Sequence, residues 1–422
     1  MKQIRTLIAI ADFRRLWLGQ MISDFGDGLT LLGLLILTQR LTGSTLALAG
    51  VAIAATLPMI IFGLPAGALV DRVDRRHAMI ISDLARAVVV LGFVFVRSPD
   101  LMWLLYLLTF IQATIGTLFN PAKAAMLPLV VPGDQLLAAN TVSQMTRVLA
   151  NLAGTAALGI IASFSEYLTI AFILDAATYT LSAFWIARIS LTDTRAKHTD
   201  GQASFMKDLG VGLATIGKSR TLVGVLVAGA VAMLGLGAVN VLMVPLVVDV
   251  LEAAEVWFGA LSAMQVAGML ISGSIVAVLA QKLSPTRMVA FGMVGTGTAV
   301  TAVAVVGAPL QLGVLLFIIG LLAAPVQAGV ATLSQILVPD ELRGRVNSAL
   351  NTVISLAMVV SQAFAGVLAA TFSVGAVFVV GGVLTVLGGV LAGVLFAGQR
   401  TDQDPRAEAP REAATAGAVP TA

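Results

Sequence analysis

The 422-residue chain contains no cysteine, which excludes disulfides, thiolate chemistry and cysteine-based metal sites. Its two histidines, His77 and His198, lie far apart, so no metal is expected. Charge is scarce: Asp, Glu, Lys and Arg make up 11% of the residues. A soluble chain of this length needs far more to cover its surface. There is no GxxxxGK[ST] loop and no long polar domain to house one, which argues against ATP-driven pumping. No nucleophile–base constellation stands out, so no enzyme is expected, and neither a cofactor nor a nucleic-acid partner. Between Arg5 and Asp12 the apolar run is too short for a signal-peptide core, so the first spanning helix is expected to stay as a signal anchor.

What is there is apolar. Hydrophobic residues make up 58% of the chain. They fall in continuous runs of about 20, each enough to cross about 30 Å of hydrocarbon, and continuous runs exclude a β-barrel. We read twelve spans, at 16–38, 45–69, 78–97, 101–120, 142–163, 168–188, 221–248, 256–280, 288–307, 310–333, 346–371 and 373–397. With these ends, 21 of the 25 Lys and Arg residues fall on the side of the N-terminus, and only Arg40 and Arg97 on the other. The bias predicts a multi-pass protein of the cell inner membrane with both termini cytoplasmic.

The longest polar interval, after the sixth span, contains FMKDLGVGLATIGKSR, which reads as a short amphipathic helix on the cytoplasmic surface. The segment VPGDQLLAAN from Val131 and the segment VPDELRGRVN from Val338 align at an offset of 207, each just before a span. Duplication explains this. The expected fold is an all-α membrane protein with twelve transmembrane helices in two six-helix pseudo-symmetric halves. The expected divisions are 1–190, a linker at 191–220, 221–397, and a disordered tail at 398–422, rich in Pro, Ala and Gly.

The link after span two, GALVDRVDRR, is charged at half its positions. It resembles the signature of the major facilitator superfamily, with Gly67, Asp71, Arg72, Arg75 and Arg76 in place and Asp74 where a second glycine is usual. FRRLWLGQMISDFGDGLT, DLARA, NPAKAAMLP, ILDAATYTLSA and VPDELRGRVNSA extend the likeness over nearly the whole chain. Together they resemble the secretion-effector branch, which includes enterobactin exporters and macrolide-efflux proteins. The resemblance implies the major facilitator fold and alternating access. It implies that Asp71 meets the start of span eleven, near Asn347; by charge alone, Arg75 and Arg76 are expected to pair with cytoplasmic carboxylates, with Asp83 one candidate. In the fifth span Thr155 stands where antiporters of this superfamily carry proline. A gate formed by Gly67, Asp71, Arg72, Arg75, Arg76, Asp83 and Arg86 is the resulting expectation, with Asp83 and Arg86 a structural pair three apart.

Ionisable groups inside spans cost a few kcal/mol and invite a function. Asp24 and Asp27 share one face of span one, with Asp27 roughly 16 Å from the span's start at Leu16, near the midplane. Asp175 lies in span six. These three are the candidates for proton or substrate coupling. Gln112, Asn120, Asn151, Asn240, Gln265 and Gln327 are candidates for lining a cavity, and Met264, Met269, Trp257, Phe258 and Tyr179 for an apolar surface. The expected function is a secondary active transporter, exporting small amphipathic compounds by proton coupling. It would act as a monomer in the lipid bilayer, with a proton gradient as its energy source. The alternatives are a narrow-specificity siderophore or metabolite exporter, a lipid flippase, and a transporter-like sensor that moves nothing.

Overall fold

The computed structural model describes residues 2–70, 72–191 and 205–396. The described residues are almost entirely helical, without strands. A short helix, α1 (Lys2–Ala9), leads into α2 (Ala11–Thr42), α3 (Thr45–Val70), α4 (Arg75–Gly92), α5 (Met102–Val130), α6 (Leu136–Ala162) and α7 (Thr169–Ala187). The second set is α8 (Phe205–Gly217), α9 (Arg220–Pro245), α10 (Trp257–Lys282), α11 (Pro285–Val303), α12 (Pro309–Leu337), α13 (Asp340–Thr371) and α14 (Val374–Phe396). Leaving out α1 and α8, twelve long helices correspond one to one with the twelve spans. Ten helical segments are long and apolar enough to cross a membrane. The other two long helices, α10 and α11, pack within the same bundle.

Local chemistry sets several helix ends. Gly43 takes the left-handed conformation (φ 58°) that closes α2, and its N–H bonds the Gln39 carbonyl. Asp74 accepts the His77 N–H at 2.8 Å and caps α4. An N-cap of this kind is worth about 1 kcal/mol. The aspartate in place of the superfamily glycine therefore has a structural job. Several helices outrun their apolar windows on the face where α2 begins and α14 ends, here called the near face. Thus α5 runs to Val130 and α13 starts at Asp340. The latter corrects the expectation that span eleven starts near Asn347. Pro339 and the good helix formers after it start the helix two turns earlier, outside the apolar window.

The two halves pack alike. In the first, α2 lies against α6 and α7, α3 against α5, and α4 against α5 and α7. In the second, α9 lies against α13 and α14, α10 against α12, and α11 against α12 and α14. Between halves, α3 meets α13 and α6 meets α10, a pair related by the same exchange. The amphipathic helix α8 packs on α13 and α9, with Gly212 against the Arg345 backbone. Residues 192–204 of the linker and the tail from 397 lie outside the described residues.

Close approach needs glycine. A Cβ on Gly154 of α6 would sit 2.0 Å from the Phe25 carbonyl oxygen of α2. One on Gly28 would sit 2.3 Å from the Asn151 carbonyl oxygen. These are backbone atoms, so the helices must separate to admit a side chain. Gly154→Ala is expected to lower the thermal stability of the detergent-purified protein sharply. Gly116→Ala, in open space, is expected to leave it unchanged or slightly raised by about 0.5–1 kcal/mol of helix propensity. Equal melting of the two variants would contradict the packing described.

The apolar packing differs between faces. At the far face one cluster joins both halves, from Leu37, Leu48 and Phe172 to Val241, Leu261 and Phe378. At the near face there are two clusters, one around Leu16, Met79 and Met126 and the other around Leu222, Val346 and Phe396. The halves are sealed together on one side and packed separately on the other.

Candidate functional site

The site begins with Gly26-Asp27-Gly28 on α2. A Cβ on Gly26 would lie 2.0 Å from the Asp175 carboxylate and 2.1 Å from the Thr178 hydroxyl, so this glycine is what lets α7 bring its polar residues up to α2. Asp27 accepts a hydrogen bond from the Tyr179 hydroxyl. Gln112 of α5 donates to the same hydroxyl at 3.3 Å. Asp175, fully buried, accepts from Thr30 of α2 and from Thr178 at 3.1 Å. Burying a carboxylate without such donors costs several kcal/mol.

Arg86 holds the deeper end. It is 6% exposed, pairs with Asp83 at 2.5 Å, and lies between two rings, 4.5 Å from the Phe119 centroid and 4.4 Å from that of Tyr179. Asp83 and Arg86 form the pair expected of them. Asp24, one turn before Asp27, is half-buried and under the influence of Lys123 of α5, Arg147 of α6 and Arg86. The first half therefore gathers four carboxylates (Asp24, Asp27, Asp83, Asp175) and three cations (Arg86, Lys123, Arg147), a difference of one.

Two cavities adjoin this set, a third lies between the halves, and a fourth lies in the second half. One of about 340 Å³ is lined by Asp27, Arg86, Gln112, Asn120, Asn151 and Tyr179. A second of about 450 Å³ has Asp24, Asp27, Asn120, Arg147, Asn151 and Gln265 on its wall. A third, of about 220 Å³ and lying between the halves, includes Asn151, Asn240 and Gln265. Gln327 lines the fourth, of about 610 Å³, inside the second half. The six carboxamides proposed as lining residues all face a cavity.

Three residues of the cluster were not expected in it. Tyr179, expected on an apolar surface, is the partner of Asp27. Thr30 is the partner of Asp175. Lys123, assigned to the polar link after span four, lies inside α5, because the helix continues past the end of its apolar window.

The charged link is placed only in part. Gly67 lies in the last turn of α3, Arg72 is exposed, and Asp71 lies outside the described residues. Arg75 donates to the Ala125 carbonyl at 3.3 Å, and Arg76 to the Ile186 carbonyl at 3.3 Å and to that of Ala187. Asp83 thus takes Arg86 rather than Arg75 or Arg76, because all three groups of the link sit at the mouth of the bundle while Asp83 is a further two turns in. Asn347 accepts a hydrogen bond from Ser334 within its own half, at 2.8 Å.

Gln362 of α13 donates to Thr56 of α3 at 3.4 Å within the bundle, and further polar contacts between the halves lie at the far face. Arg40 forms a two-pronged pair with Glu255 (3.0 and 2.5 Å) and donates to the carbonyls of Ala162, Ser165 and Glu166. The Ala162 carbonyl ends α6, where a cation is favoured by the helix dipole, and Ser165 and Glu166 lie in the link that follows. Gln39 donates to Asp249 at 2.5 Å, and Thr45 to the Gly366 carbonyl at 3.0 Å. A partly exposed pair contributes about 1 kcal/mol, or about fivefold in population. Glu255→Gln is expected to raise the labelling rate of a Val239→Cys variant by an impermeant maleimide added at the far face by about that factor. An unchanged rate would show that the pair does not hold this face shut.

The family profile described as transmembrane secretion effector matches residues 6–416. Macrolide efflux protein A of Streptococcus pyogenes is 24% identical over 384 residues, covering 89% of this chain and 93% of that protein. The putative bacilysin exporter of Bacillus subtilis is 32% identical over 174 residues, 41% of this chain and 43% of its own. Among solved structures, a nucleoside transporter superposes with a TM-score of 0.74 at 11% identity, over 92% of this chain and all of that one. With the repeated six-helix packing and the match along nearly its full length, the chain belongs to the transmembrane secretion effector family of major facilitator transporters.

Proposed function

We propose that this membrane transporter is a proton-coupled exporter of small amphipathic compounds. It would sit in the cytoplasmic membrane with its near face toward the cytoplasm. The observation that carries the reading is Asp27. It is a carboxylate near mid-membrane, held by Tyr179, lining two cavities, and part of a set with one more carboxylate than cations. One proton neutralises that set, so protonation changes the cost of exposing or enclosing it. With the halves sealed at the far face, the arrangement corresponds to the inward-facing state of an alternating-access cycle. Asp24 lies beside the same cavity and serves with Asp27. Asp175, fully bonded to Thr30 and Thr178, orients α7. The link from Gly67 to Arg76 closes the near face when the halves rock. The names of two relatives, a macrolide efflux protein and a bacilysin exporter, favour export.

The test is efflux from inverted vesicles under a pH gradient, over a panel of dyes, macrolides and siderophores. Gradient-dependent movement of several unrelated compounds is expected. Movement of a single compound would select a narrow-specificity exporter. Movement that ignores the gradient would overturn proton coupling.

A further inference from the structure

The two halves carry the same cavity with opposite chemistry. Gly26-Asp27-Gly28 on α2 has its counterpart in Gly235-Leu236-Gly237 on α9. The contacts show this: Gly26 packs on Asp175 and Thr178 of α7, and Gly235 on Gly381 and Thr385 of α14. Gly28 packs on Asn151 of α6, and Gly237 on Ser361 of α13. Leu236 thus stands where the first half has Asp27. Likewise Arg86 and Thr296 each follow the first residue of their helices by eleven positions, 75 to 86 in α4 and 285 to 296 in α11. Asp27 and Arg86 line the first-half cavity, and Leu236 and Thr296 line its counterpart.

That counterpart measures about 610 Å³ and is lined by residues of α9, α11, α12, α13 and α14, with none from the first half. None of its lining residues is ionisable. Its polar groups are carboxamides and hydroxyls, and two of them, Ser334 and Asn347, already satisfy each other. The volume is that of a site for a drug-sized molecule. A charged group placed there would lose its water with no counter-charge to replace it.

We infer that the second-half cavity is a binding subsite for the uncharged, lipophilic part of the transported molecule, separate from the ionisable set of the first half. The inference rests on the export reading for its purpose but not for its test. Duplication supplied two equivalent interiors. One holds the titrating groups, and the other, stripped of charge, holds the apolar body of the substrate.

The experiment uses the full chain in detergent at fixed pH, without a gradient. The natural sequence has no cysteine, so an Ala331→Cys variant reports on this cavity alone, and a Gly116→Cys variant reports on the first-half cavity. Maleimide labelling is followed with triphenylphosphine oxide, a neutral probe, and with tetraphenylphosphonium, a cation of similar shape. At ten times its Kd the neutral probe is expected to slow labelling of the Ala331→Cys variant about tenfold, and to leave the Gly116→Cys variant unaffected. Adding Ala323→Leu, which fills the cavity, should remove the protection. Adding Asp27→Asn should not. The cation should protect far less. No protection of a folded protein, equal protection by the two probes, or protection lost with Asp27→Asn would overturn the inference. Failure of proton coupling would show instead in the vesicle assay, with protection intact.

Discussion

Asp27→Asn abolishes efflux driven by a pH gradient, while the protein stays folded and still exchanges substrate across vesicles at equal pH. This is the expected result of removing the titrating group and keeping its shape. The asparagine carbonyl still accepts the Tyr179 O–H, so α2 and α7 remain joined where Gly26 brings them together. What is lost is the ability to take up and release a proton at the wall of the cavity. The neighbouring Asp24 lies near Lys123 and Arg147, and is not positioned to take over the bond to Tyr179. Initial rates in vesicles should fall by at least about tenfold, the size of effect expected when a group essential to one step is removed. Wild-type gradient-driven rates from a well-expressed variant would remove Asp27 from the mechanism.

Arg86→Ala is expected to produce the largest loss of stability of any single side-chain truncation in the first half. Asp83 is completely buried and its charged partner is Arg86. Removing one member of a buried pair costs about 3–5 kcal/mol, because the remaining charge is uncompensated. The same change empties the space between the Phe119 and Tyr179 rings, where the guanidinium contributes up to about 2 kcal/mol more. Tyr179 would then lose the face that fixes its ring, and with it the orientation of the hydroxyl bonded to Asp27. The double variant Asp83→Ala/Arg86→Ala should recover part of the loss, since no charge is left without its partner. Thermal unfolding of detergent-purified protein measures both. A single variant as stable as the wild type, or a double variant less stable than the sum of the two singles, would contradict the pairing.

The architecture was readable because hydrocarbon thickness imposes itself on composition. Each span had to be apolar over about 20 residues, and each charge inside one stood out. Asp24, Asp27, Asp83, Arg86 and Asp175 were visible for that reason. Their partners were not. Tyr179 is 152 residues from Asp27, and Thr30 is 145 from Asp175. Only the packing of α7 on α2 decides those pairs. Lys123 was assigned to a loop because hydropathy measures the bilayer rather than the helix, and α5 continues to Val130 after the apolar window has closed. Arg75 and Arg76 show the same limit at close range. Their neighbours are backbone carbonyls of α5 and α7, which leave no trace in side-chain chemistry. The correspondence of Asp27 with Leu236 was present in the sequence as two Gly-x-Gly elements. It acquires meaning only when the contacts of the four glycines show the same register in both halves.

In the proposed cycle substrate leaves as protons enter through one chain. The most direct test reconstitutes the purified wild-type protein in liposomes and records internal pH and substrate together, with a macrolide or dye identified in the vesicle panel. An imposed substrate gradient is expected to move protons in the opposite direction in the absence of any other driving force, and substrate movement by the Asp27→Asn variant is expected to carry no protons. Substrate movement by the wild type without any accompanying proton flux would contradict it.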